Sequence, residues 1–155
     1  MNSIPALFLF LLTVVTASAA PPRGAYLAWL QTKFPGQYDN AALEATIWGD
    51  HADPDGDGCP NIIEFMMARE PKAPDANLGP QVRIDGNDLV VTYRETTVAD
   101  PGVTWLGEWS QGLDGWLPYG VRYQPVSTHT GYRMVEARLA RNRETKMNYR
   151  VRASR

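Results

Sequence analysis

Residues 72–80 read Lys-Ala-Pro-Asp-Ala-Asn-Leu-Gly-Pro, and the periodicity of the chain changes across them. Two prolines, a glycine and little apolar content mark a linker. On its N-terminal side the apolar residues recur at helical spacing: Leu27, Leu30 and Phe34, with Tyr26 and Trp29 beside them. Pro35-Gly36 ends that helix. A second helix is expected from Asn40, a good N-cap, through Leu43, Glu44 and Ile47 to Gly49. A third should run from about Asn61 to Arg69, with Ile62, Phe65 and Met66 on one face, until Pro71 stops it.

On the C-terminal side the period is two. Val82–Ile84 and Leu89–Tyr93 flank Asp85-Gly86-Asn87-Asp88, a β-hairpin signal. Further strands are expected at Val103–Trp109, Val121–Tyr123, Tyr132–Leu139 and Tyr149–Arg152. The fold class that follows is α+β: short N-terminal helices with one calcium-type loop, then a small antiparallel β-sandwich or barrel. The expected division is 20–71 helical segment, 72–80 linker and 81–155 β domain.

Residues 1–20 carry no charged side chain, and Ala6–Val15 form an apolar run followed by Ala17-Ser18-Ala19-Ala20. That pattern predicts a signal peptide over 1–19, cut after Ala19. The run is too short for a membrane span. The expected product is secreted or periplasmic, with no membrane insertion after processing.

Composition narrows the function. The 155 residues are 44% hydrophobic and 21% charged with a net charge of −2, as in a globular protein without the basic excess of a nucleic-acid binder. Residues 21–76 hold nine acids against four bases, and residues 77–155 eleven bases against eight acids. Bases that alternate with apolar residues on strands read as a solvated sheet face. One cysteine, Cys59, excludes a disulfide scaffold and reads as a buried thiol. The two histidines, His51 and His129, lie far apart, and the sequence holds no nucleophile elbow, phosphate loop or zinc-protease motif. The expectation is that this is not an enzyme.

The chemistry is concentrated in residues 53–64, Asp-Pro-Asp-Gly-Asp-Gly-Cys-Pro-Asn-Ile-Ile-Glu. They fit the calcium-loop pattern D-x-[DN]-x-[DN]-G-x₅-E at every specified position. Asp53, Asp55 and Asp57 can turn alternate carboxylates inward around a tight curl, and Gly58 stands where the turn favours a residue without Cβ. Cys59 would offer its carbonyl, Asn61 its side chain directly or through water, and Glu64 both oxygens. The predicted cofactor is Ca²⁺.

These twelve residues resemble the EF-hand loop, and more closely the calcium loops of dockerins and thrombospondin type 3 repeats. With the following Asn61-Ile-Ile-Glu-Phe65, they also look like a recurring segment of secreted bacterial proteins that precedes a small β domain. The resemblance implies the ligand set Asp53, Asp55, Asp57, Cys59 (carbonyl), Asn61 and Glu64. Two departures bear on it. Pro60 has no N–H with which to pair a sister loop, and no second loop occurs in the chain. A static structural site is expected, not a paired sensor, in a protein whose partner is a protein or glycan at the cell surface. The rival reading is a carbohydrate-binding module that uses exposed aromatics of the β half. Trp116 and Tyr119, in the stretch Gln111–Gly120, are its ligand-binding residues; Trp105 and Trp109 share a strand face with Val103 and Gly107 and should face the core.

Overall fold

The computed structural model describes residues 10–14, 24–141 and 146–155. All six expected strands form: β2 (Gln81–Asp85), β3 (Asp88–Thr96), β4 (Thr104–Ser110), β5 (Val121–His129), β6 (Tyr132–Ala140) and β7 (Asn148–Ser154). Four of them make an antiparallel sheet in the order β2-β3-β6-β5, and β4 pairs antiparallel with β7 in a second sheet. Leu89, Val91, Tyr93, Val135, Ala137 and Leu139 of the first sheet share one hydrophobic cluster with Tyr149, Val151 and Ala153 of the second and with Val103 just before β4. The β half is therefore a two-sheet sandwich.

The second sheet contains one more strand. Phe10–Val14, here β1, runs parallel to β7 from Phe10 beside Tyr149 to Val14 beside Ala153. This differs from a leader that contributes nothing to the fold. An apolar run rich in Leu and Val satisfies the free edge of β7 whenever it is present. The expected cut after Ala19 lies outside the described residues.

On the N-terminal side, α1 (Ala25–Lys33) buries Tyr26, Leu30 and Phe34, one per turn. The expected second helix is not α-helical. Asn40 does cap it, accepting from Ala42 N at 3.1 Å, but the chain makes a 3₁₀ turn over Ala41–Leu43 and a π turn over Glu44–Trp48. Gly49 N then closes on Glu44 O at 2.8 Å, so close that a Cβ at Gly49 would strike that carbonyl. The third helix, α2 (Asn61–Met66), is shorter than expected, because Ala68 takes a left-handed conformation (φ 50°) and turns Arg69 back.

Ile62, Ile63, Phe65 and Met66 of α2, with Tyr26 and Phe34, belong to the same hydrophobic cluster as the sandwich core, and polar ties reinforce the union. Asp100, between β3 and β4, accepts from Tyr26 N at 2.7 Å and so caps α1 from the β half. Arg155 at the end of the chain donates to Asp50. Residues 72–80 do not swing freely: they contain a 3₁₀ turn over Ala76–Leu78, and Asp75 is anchored to the helical segment by two contacts.

The outer face of the four-stranded sheet carries the expected arginines, and they are paired. Arg83 and Arg138 both reach Glu136 (2.9 and 2.7 Å), and Arg122 reaches Asp88 at 2.7 Å. Arg83 and Arg138 flank Val90 in register, and Val90 is fully buried, consistent with their stems covering it. Among the described residues, no helix is long and apolar enough to cross a membrane.

Candidate metal centre

The acidic turn begins where the π turn ends. Asn61 N donates to Ala52 O (2.9 Å) and Ile62 N to Asp50 O (3.2 Å), so the two arms of the turn are hydrogen-bonded at its base. Between them the aspartates organise the curl. Asp53 accepts from Gly56 N (3.0 Å) and Gly58 N (2.9 Å), Asp55 from Asp57 N (3.1 Å), and Asp57 from Cys59 N (3.0 Å). Gly56 and Gly58 stand at φ 74° and 90°, where a side chain would be strained. The carboxylates of Asp53, Asp55 and Asp57 offer oxygens that lie within 4.8 Å of one another.

Glu64 completes the concentration of charge. It is fully buried (0% exposed), and neither of its carboxylate oxygens has a protein partner. One of them lies within 4.8 Å of an oxygen of Asp57. Burial first, then the charges of Asp55 and Asp57, push its pKa up to about 8, against the opposing pull of Arg69. Asp55 is raised too, chiefly by loss of water, and its Oδ2 is buried without a partner. A buried carboxylate with no donor is costly, and unpartnered groups of this kind call for an explanation.

Asn61 and Cys59, also expected as ligands, have contacts of their own. Asn61, also 0% exposed, commits its amide nitrogen to Ile47 O (2.8 Å) and Gly49 O (2.9 Å), which clamps the incoming arm; its Oδ1 is left without a partner. Cys59 is buried and unpaired. Its sulfur lies within 4.8 Å of oxygens of Asp57 and Glu64, closer to the acids than a carbonyl-only role requires. Burial raises the thiol well above its ordinary range.

Arg69 was not singled out by any motif. It donates to both Asp57 and Asp75, and Asp75 N in turn donates to Asp57 Oδ2 at 3.1 Å. Asp57 therefore has partners on both oxygens, while its Oδ1 keeps a spare lone pair. The only sequence signal for Arg69 is a lone base within an acid-rich stretch, and its placement depends on the turn at Ala68.

Of the aromatic residues weighed in the sequence, Trp116 is the one placed differently from the expectation. Trp105 and Trp109 pack against the core, as their parity requires. Trp116 is half-buried, with the Arg150 guanidinium over its ring at 4.2 Å, and Arg150 is paired with Glu108 at 2.7 Å. Tyr119 is 65% exposed, and its carbonyl accepts from Trp109 Nε1 at 2.8 Å.

Comparison of the chain with protein families, with curated proteins and with solved structures finds no match in any of the three.

Proposed function

We propose that the turn Asp53–Glu64 binds one Ca²⁺ and that the bound ion fastens the helical segment to the β half of an exported structural or interaction protein. The observation that carries this reading is Glu64, a fully buried carboxylate whose two oxygens lack partners beside the aspartate curl. A cation there supplies the missing counter-charge for Glu64 and for Asp55.

The donor set favours calcium. Ca²⁺ takes six to eight oxygens in a flexible shell, whereas Mg²⁺ wants six in near-octahedral array and keeps its waters. Zinc prefers nitrogen or thiolate, and the turn offers a single sulfur, Cys59, among carboxylates. Asp53, Asp55, Asp57 and Glu64 supply carboxylates, and the Cys59 carbonyl and Asn61 Oδ1 complete an oxygen shell of the EF-hand-like kind. Export fits this chemistry, because millimolar calcium outside cells fills even a site with Kd near ~10⁻⁴ M.

Thermal unfolding with calcium, with magnesium and with chelator tests the proposal, beside an Asp53→Ala/Glu64→Ala double variant. Calcium at ten times Kd should add about 1.4 kcal/mol, read as a rise of about 4 °C in melting temperature that magnesium does not reproduce. The double variant should lose that rise. A folded parent protein that melts at one temperature in all three conditions sinks the proposal.

A further inference from the structure

We propose that two adjoining hollows at the open side of the sandwich form a binding site for a neutral disaccharide unit. Each hollow has a volume of about 390 Å³, and the two share Glu95 and Arg133. Cavities of this size are typical of small-molecule sites, which are mostly apolar with a few placed polar groups.

The first hollow lies where the edge strand β4 faces the edge strand β5. Tyr93 and Trp105 form a corner there, with ring centroids 4.9 Å apart and planes at 89°. Tyr123 closes the opposite wall; it is 48% exposed, and its hydroxyl accepts from Gly107 N at 3.2 Å. Gly107 is itself part of the lining, and a Cβ there would strike the hydroxyls of Tyr149 and Tyr123. The second hollow, lined by Thr96, Thr97, Val98, Asp100 and Val103 among others, adjoins the first at the Glu95–Arg133 pair that both share.

The charges choose the class of ligand. Arg133 Nε donates to Glu95 Oε2, and Trp105 Nε1 donates to Glu95 Oε1 at 3.1 Å. The pair is neutral as a unit, and Asp100, which also lines the second hollow, is held by the N–H groups of Tyr26 and Gly102, so an anionic ligand buried there would lack a counter-charge. Glu95 keeps spare lone pairs, and Arg133, with a 45%-exposed side chain, keeps its terminal NH₂ groups. Acceptor and donor side by side match vicinal hydroxyls, and the partly buried Trp105, backed by the buried Tyr93, together with the exposed Tyr123 matches the apolar C–H face of a sugar ring. Two hollows joined at a polar centre fit two linked rings. Strand addition at the β5 edge is the poorer alternative, because Pro125 and the adjacent register shift blunt that edge. The platform lies away from Trp116 and Tyr119, which line neither hollow.

Tryptophan fluorescence and saturation-transfer NMR with cellobiose, maltose and N,N′-diacetylchitobiose test the site, each in calcium and in chelator so that it is judged apart from the acidic turn. At least one disaccharide should saturate below about 10 mM. Tyr123→Ala and Arg133→Gln should each weaken that binding about tenfold, with circular dichroism unchanged. Tyr119→Ala should leave it unaltered. Binding of none of the three sugars overturns the proposal, whether or not the apolar dye anilinonaphthalene sulfonate enters the hollows. So does sugar binding that survives both variants in folded protein.

Discussion

The Arg69 guanidinium pairs with the Asp57 carboxylate inside the acidic turn, their side chains only 5% and 1% exposed. The same guanidinium holds Asp75, so one cation joins the turn, the end of α2 and the start of the connection to the β half. Breaking a buried pair strands its partner's charge, which is costlier than the net value of the pair.

Arg69→Ala should therefore destabilise the chelated protein by about 3 kcal/mol or more, since Asp57 and Asp75 lose their shared counter-charge. Calcium should recover part of that loss, so the calcium-induced rise in melting temperature is larger in the variant than in the parent. Paired melts in chelator and in calcium check both statements. An equal rise in the two proteins would mean that Arg69 does not act on the ion's site.

Glu64→Gln should separate the two roles of that residue. The amide keeps the shape but carries no charge into a buried position, so the chelated variant at pH 8.5 should melt at or above the parent. The same variant should lose most of the calcium response, because a ligand carboxylate is gone. Melting curves of the two proteins would cross on addition of calcium.

The raised pKa of Glu64 sets a pH dependence whose sign can be worked out. Folded, the group titrates near 8; unfolded, near 4.5. Between those values the folded state holds a proton that the unfolded state has released, so stability without calcium falls as pH rises through this window. Above pH 8 this contribution is flat. At pH 7 the binding of calcium should expel about one proton, measurable by titration calorimetry in buffers of different ionisation enthalpy. Proton release near zero at pH 7 would contradict the buried, protonated Glu64.

Gly107→Ala should destabilise the sandwich independently of calcium. Its Cβ would collide with the hydroxyls of Tyr149 and Tyr123, which lie over the β4 backbone. Overpacking of this kind costs about 1–3 kcal/mol. A lower urea midpoint with unchanged slope, equal in calcium and chelator, is the expected result.

The sequence determined the local structure. The period of two corresponds to an alternation of burial along β6 and β7, whereas β2 and β5, also expected from sequence, are mostly exposed, and the Asp85–Asp88 turn specifies its hairpin within a few residues. The spacing of Asp53, Asp55 and Asp57 likewise encodes its own curl, since those side chains bond backbone N–H groups two to five residues ahead. Only the tertiary structure decided what surrounds these pieces. The stretch after Asn40 became 3₁₀ and π turns because Asn61, distant in sequence, holds the carbonyls of Ile47 and Gly49. Glu64 became a buried carboxylate, not a solvated one, because α2 packs into the core shared with the sheets. Arg69 reached Asp57, Asp100 capped α1, and Tyr93, Trp105 and Tyr123 met at one cavity through contacts between strands and loops far apart in the chain. Periodicity records which side of an element is apolar; it carries no information about which distant residue will cover that side, because that is settled by packing all the faces at once.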